Sequence, residues 1–254
     1  MRLTSMWPGG VFLTFGLWLD RVHDEPALAA VGAVLEECGG TFSGSMFFGP
    51  AATAFSRVPD APGISYAGGR SVRDVRRSVR DGSAYRVSMH LPGVGAAGVS
   101  YAATPGERLP ADRHPVEVTV EAGAFAVPRG LWTDEERAAA EERQSVVLRY
   151  LETCCTVLDP AYAVLHSEGS TPTPSALAAG RPIGLDAYVS RRLSHQLTGM
   201  ARLCETRGWP RGTFHSGWFL SEAPDQAALR AAWSRPSLVI GERLAGVPAL
   251  STPA

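Results

Sequence analysis

Residues 115–168, PVEVTVEAGAFAVPRGLWTDEERAAAEERQSVVLRYLETCCTVLDPAYAVLHSE, decide the fold. Val116 to Glu121 alternate apolar and polar with the period of a strand. That alternation sends Val116, Val118 and Val120 to a core, and Glu117, Thr119 and Glu121 to solvent or a neighbour. Thr133-Asp134-Glu135-Glu136 has the form of a capping box. The threonine oxygen takes the Glu136 amide, and the glutamate reaches back to the Thr133 amide. Ala140, Val147, Tyr150, Leu151, Cys154 and Leu158 then recur at helical spacing, an apolar stripe along a helix running from Thr133 to about Leu158. Asp159-Pro160 stops it, and Ala161–Leu165 is a second apolar strand.

Outward from this strand–helix–strand core, the N-terminal side begins with Val11–Leu19. This apolar, β-branched and aromatic run is bounded by Pro8-Gly9-Gly10 and Asp20, as a central strand would be. Leu28, Val31, Leu35 and Cys38 predict a helix capped by Asp24 and stopped at Gly39-Gly40. Thr41 to Val58 predicts one or two strands with a break near Gly49-Pro50. Ser71 caps a short helix to Asp81. Tyr85–Leu91 and Gly98–Ala102 are strands joined by a loop over Pro92–Ala97.

On the C-terminal side, Ser170–Pro182 is rich in Pro, Gly, Ser and Thr and predicts a long surface loop. Asp186–Arg207 carries an amphipathic helical pattern, although Leu185–Val189 also reads as extended. Thr213–Leu220 is a strand, Ala227–Trp233 a short helix and Leu238–Ile240 a last strand. Several strands in succession without intervening helices predict an α+β fold, with a mixed or mainly antiparallel sheet and two or three amphipathic helices packed on it. The expected organisation is a single domain over 1–254. Strand–helix–strands recurs once in each half, so a two-lobed pseudo-repeat at 1–130 and 131–254 is the alternative.

Composition narrows the classes. The chain has 254 residues, 45% hydrophobic and 19% charged, with a net charge of −1. That suits a globular protein with a sizeable core and argues against a general nucleic-acid binder. Cys38, Cys154, Cys155 and Cys204 form no CxxC or Cys/His zinc pattern and read as buried free thiols of a reducing compartment. Val11–Leu19 is too short to span a bilayer. Without an export or membrane signal the expected location is the cytoplasm.

Gly93-Val94-Gly95-Ala96-Ala97-Gly98 is a literal GxGxxG, but no helical pattern starts there to aim amides at a pyrophosphate. A glycine-rich hairpin loop is the better reading. Arg73, Arg77 and Arg80 share one side of the Ser71–Asp81 helix, a positive patch able to fork onto carboxylates or phosphates. A solvated face is the plainer account. Among six histidines no HxH, HxxxH or HExxH pair occurs. His166, Glu168 and His215 lie at predicted strand ends and are the candidates for proton transfer if the chain is an enzyme. No GxSxG elbow accompanies them. Trp132 and Trp209 flank predicted helices and are candidate interface anchors.

Val116–Phe125, the helix ending in Asp159-Pro160 and Tyr162–Ser167 form one series. Leu185–Leu193, Gly212–Glu222 and the helix Asp225–Ala232 form a second. This order resembles the immunity protein 52 group of bacterial polymorphic toxin systems, and Leu13–Cys38 suits the same layout. Asp186-Ala187 stands where that group has a tryptophan-containing start, and His166 where it has a threonine. The resemblance implies a cytoplasmic α+β protein that binds and neutralises a cognate toxin without catalysis or cofactor. It transfers no catalytic residues. The near-neutral charge and the short apolar run are what leave no nucleic-acid or membrane partner expected. The alternative is a small-molecule-binding protein or enzyme of specialised metabolism with a pocket between sheet and helices. A phosphate- or nucleic-acid-binding module built on Arg73, Arg77 and Arg80 is a third reading.

Overall fold

A computed structural model describes residues 12–20, 26–48, 65–102, 114–122, 133–184, 186–196, 211–212, 217–220 and 237–245. The strands are β1 (Phe12–Trp18), β2 (Thr41–Phe48), β3 (Ser65–Ala67), β4 (Ala84–Leu91), β5 (Gly95–Tyr101), β6 (Val116–Glu121), β7 (Tyr162–Ser167), β8 (Ala187–Ser190), β9 (Arg211–Gly212) and β10 (Gly217–Leu220). The helices are α1 (Ala27–Glu37), α2 (Val72–Arg80), α3 (Asp134–Leu158), α4 (Pro174–Ala178), α5 (Arg191–Gln196) and α6 (237–245). The strands form one ten-stranded sheet in the order β3-β2-β4-β5-β6-β1-β7-β8-β10-β9. Every pairing in it is antiparallel. The fold is α+β, as expected, and the strand at Val11–Leu19 is indeed central, between β6 and β7.

The alternation in β6 sets the two faces of the sheet. Val116, Val118 and Val120 join Leu13, Phe15 and Leu17 of β1 and Val87, Met89 and Leu91 of β4 in one apolar core. The same core takes Leu28, Val31 and Leu35 from α1, Val75 and Val79 from α2, and Val147, Leu151 and Cys154 from α3. Three amphipathic helices therefore cover this first face.

Local chemistry places α3. Thr133 Oγ1 accepts the Glu136 amide at 3.2 Å, and the Glu136 carboxylate accepts the Thr133 amide at 2.8 Å. The predicted stripe is buried in full, and Cys155 is buried with it. Asp159 caps the C-terminus in the left-handed conformation. Cys38, Cys154 and Cys155 are free, and burial pushes the Cys154 and Cys155 thiols well above their ordinary range. They are inert core residues rather than nucleophiles.

Four expectations change. The loop over Pro92–Ala97 is a tight turn: the Val94 amide reaches Leu91 O at 3.1 Å, and Pro92-Gly93 occupy the corner. Pro and Gly are the residues that a type II turn takes there. The GxGxxG is thus split between a hairpin turn and β5, and α3 lies over it, with Tyr150 Oη donating to Pro92 O at 2.9 Å. α1 starts after Pro26 with no side-chain cap, so Asp24, outside the described residues, does not occupy the cap position. Ala187–Ser190 is extended, in line with the alternative reading of Leu185–Val189 and not with the helical one, and the helix begins only at Arg191. Leu238–Ile240 belongs to α6, whose buried positions 237, 240, 241 and 244 have helical spacing. Three apolar residues read alone are too short a window to separate the two periods. Ala227–Trp233 lies outside the described residues.

The predicted surface loop at Ser170–Pro182 is also different. It contains α4, and it crosses the second face of the sheet as a strap in which Thr171, Thr173 and Leu177 are fully buried. On the C-terminal side that face is apolar. Trp18 stacks on Tyr162 with centroids 5.9 Å apart, and Tyr162 Oη donates to Pro172 O at 2.6 Å. α6 packs on α4 through Gly241. Among the described residues, no helix is long and apolar enough to cross a membrane.

Candidate functional site

The second face turns polar over its central strands. Strand register aligns Arg86 (β4), Ser100 (β5), Glu117 (β6) and Gly16 (β1) in one row, and Ser88, Gly98, Thr119, Thr14 and His166 in the next. Arg86, Ser88, Ser100, Glu117, Thr119 and Thr14 are all buried. The alternation expected of β6 is present, yet Glu117 and Thr119 face a covered neighbour instead of water.

Glu117 is the hinge of this array. Its Oε1 accepts the Thr171 amide at 2.6 Å and the Ser170 hydroxyl at 3.1 Å, fastening the strap to the sheet. Thr14 and Thr119 share a hydroxyl hydrogen bond of 3.1 Å. Burial lowers the Arg86 guanidinium to about 9, while Tyr85 and Glu117 oppose that shift. A buried guanidinium two strands from a buried carboxylate is a costly arrangement that a core of valines would avoid. Of the two, Glu117 is the one that holds the strap.

His166 closes the array. Its Nε2 lies 3.3 Å from Thr171 Oγ1. The Gly169 backbone passes so close that a Cβ there would be 2.6 Å from His166 Nδ1. Burial, reinforced by the charge of Arg181, lowers the imidazole to about 4. Glu168 follows in a left-handed turn, is exposed, and spends its amide on Phe12 O at 3.0 Å. The two candidates for proton transfer are therefore not brought together: one is under the strap and the other is in water. His215, Trp132 and Trp209 lie outside the described residues.

A pH prediction follows from His166. Its folded value of about 4 lies below the ordinary 6.5, so between these two values the unfolded chain binds the extra proton. Stability then rises with pH across that window. It is fully present above 6.5 and lost as the pH falls through 4, by up to roughly 3 kcal/mol. Urea unfolding from pH 7 to pH 4 should show this loss, and His166→Gln should remove most of the difference. Parallel pH profiles for the two proteins would refute the assignment.

Arg73, Arg77 and Arg80 lie on α2, on the other face of the sheet, exposed and opposite buried Val75 and Val79. Sequence reasoning missed Arg86 and Glu117 as a pair. The available signal was a charged residue alternating with the core-facing apolar residues in each of two strands, on the face opposite the valine core.

The architecture defines a class: an antiparallel α+β sheet protein with three helices on one face and a polar, strapped second face. The sequence matches no protein-family model and no curated protein. Among solved structures the chain is similar to the Pseudomonas aeruginosa T6SS protein PA0821, with 11% identity over 96% of this chain and 77% of that one and a TM-score of 0.43.

Proposed function

We propose that this chain is an immunity-type protein that binds a cognate bacterial toxin and neutralises it by occlusion, as a cytoplasmic single-domain partner needing neither cofactor nor catalysis. The observation that supports this reading is how the segments of the immunity-protein resemblance assemble. They are dispersed between Leu13 and Ala232 in sequence, and Asp225–Ala232 lies outside the described residues. In the sheet, β6, β1, β7, β8 and β10 are successive neighbours, and α3 packs on β1 and β7. The described parts of the resembling segments thus form one contiguous block. A rigid sheet backed by a capped helix is a preformed surface, and preformed surfaces lose little entropy on binding.

The test is co-expression. A toxic domain encoded beside this chain should arrest growth when expressed alone, and this chain should restore growth and co-purify with that domain in a fixed ratio. Growth arrest that this chain leaves unrelieved would sink the reading.

A further inference from the structure

The segment from Arg70 to Asp81 holds five arginines and two aspartates, a local charge of +3 in a chain whose total is −1. The fold uses some of these charges and leaves others. Arg76 forks onto Glu36 of α1 at 2.7 to 3.1 Å and so anchors the helix sideways. Asp74 accepts the Ser71 hydroxyl at the N-cap, and Asp81 accepts the amide and hydroxyl of Ser83 at the C-cap. Both carboxylates are thereby committed to ending the helix. Among the described residues, neither Arg73 nor Arg80 has an ion-pair partner, and Arg77 reaches Asp74 only at 3.9 Å between exposed side chains. A contact of that kind contributes almost nothing.

Helix physics separates the three. Arg77 and Arg80 sit in the last turn, where cations favour the negative pole of the dipole. Arg73 sits in the first turn, where a cation opposes the positive pole. Its position is locally unfavourable, its neighbours do not use it, and it completes a ridge with Arg77 and Arg80 at i, i+4 and i+7. That ridge is about 10 Å long from end to end.

The ridge is also held rigidly. The Arg70 amide donates to Gly44 O at 3.0 Å, docking the start of α2 on the bulge of β2. Gly44 has φ +81, and a Cβ there would lie 2.4 Å from Arg70 O, so no other residue keeps that junction. The Ser71 cap, the Arg76 fork and buried Val75 and Val79 complete the mounting.

We infer that the Arg73–Arg77–Arg80 ridge of α2 is the docking surface for an acidic patch on the protein partner. This rests on the toxin-binding reading above. Guanidinium forks pair bidentately with carboxylates, and a mounted ridge pairs with little ordering cost. The chain's slight negative charge and the lack of aromatics among these arginines disfavour a polynucleotide. Complementary charge acts mainly on the association rate and on its salt dependence.

The experiment measures association of the purified toxin with three chains, wild type, Arg73→Glu, and the triple reversal R73E/R77E/R80E, at low and high salt. Arg73→Glu places an acid where the dipole favours one, so that variant folds at least as well as wild type. The expected slowing at low salt is about 10-fold for Arg73→Glu and about 100-fold for the triple reversal, with flattened salt dependence. Toxin binding at the wild-type rate by Arg73→Glu and the triple reversal would overturn the surface and leave the toxin-binding reading standing. A wild-type chain that binds no toxin would overturn both. A short DNA duplex bound by wild type and lost on reversal, with toxin association unchanged, would overturn it in favour of a polyanion site.

Discussion

Arg192→Ala is expected to lower the unfolding free energy by about 3 kcal/mol. Arg192 forks onto Asp20, with Nη2 2.7 Å from Oδ1, and the same nitrogen donates to Asp159 O at 3.3 Å. Its Nε lies 3.5 Å from Asp159 Oδ2. One side chain on α5 therefore ties the residue beyond the end of β1 to the C-cap of α3. The hydrogen bond it donates to Asp20 raises the guanidinium above its already high range. With Arg192 gone, Asp20 would keep a charge in a site where its side chain is only 9% exposed. The α3 carbonyl end would also lose the cation that complements its dipole. Removing both partners should cost less than removing the arginine alone, because no charge is then stranded. Urea unfolding of Arg192→Ala, Asp20→Ala and the double variant tests this. A loss below about 0.5 kcal/mol for Arg192→Ala would class the contact with ordinary surface pairs and refute the argument.

The parts of this fold that were legible in sequence are those whose cause is local. The Thr133 box, the stripe from Ala140 to Leu158 and the Asp159-Pro160 stop each follow from residues within a turn or two of one another, and all three stand. The same holds for Ser71, whose hydroxyl accepts the Asp74 amide at 3.1 Å. The strap failed for the opposite reason. Ser170–Pro182 has the composition of a surface loop, and what buries it is Glu117, 54 residues earlier in the chain, and Gly16 in the central strand. No local pattern encodes that meeting. Residues 186–196 show an intermediate case. Val189 and Leu193 fit one helical face, but Tyr188 and Val189 are β-formers, and pairing with β7 and β10 decides for a strand. The candidate site was less legible than the fold. The arginine ridge was visible because α2 is a local helix. The Arg86–Glu117 array was not, because it requires knowing that β4, β5 and β6 are neighbours in register.

Gly16 is the position where a single added carbon should do the most damage to the second face. It sits mid-strand in β1, opposite Glu117 on one side and Val164 on the other. A strand interior normally disfavours glycine, so its presence signals a close approach by another part of the chain. The approaching group is Thr171: a Cβ on residue 16 would lie 1.9 Å from its Oγ1 and 2.7 Å from its Cβ. Thr171 is held on the far side by Glu117, whose carboxylate accepts the Thr171 amide at 2.6 Å, so it cannot retreat without leaving a buried carboxylate short of a donor. Gly16→Ala should therefore cost about 3 kcal/mol, combining overpacking with the lost charge-assisted hydrogen bond. Hydrogen exchange should show the strap opening at residues 168–173 while α3 stays protected. Thr171→Gly removes the obstructing side chain and keeps the amide that Glu117 holds. The double variant should then recover a large part of the loss, a coupling of at least 1 kcal/mol between the two sites. Additive losses, or strap exchange unchanged in Gly16→Ala, would show that the glycine is not there to admit the threonine.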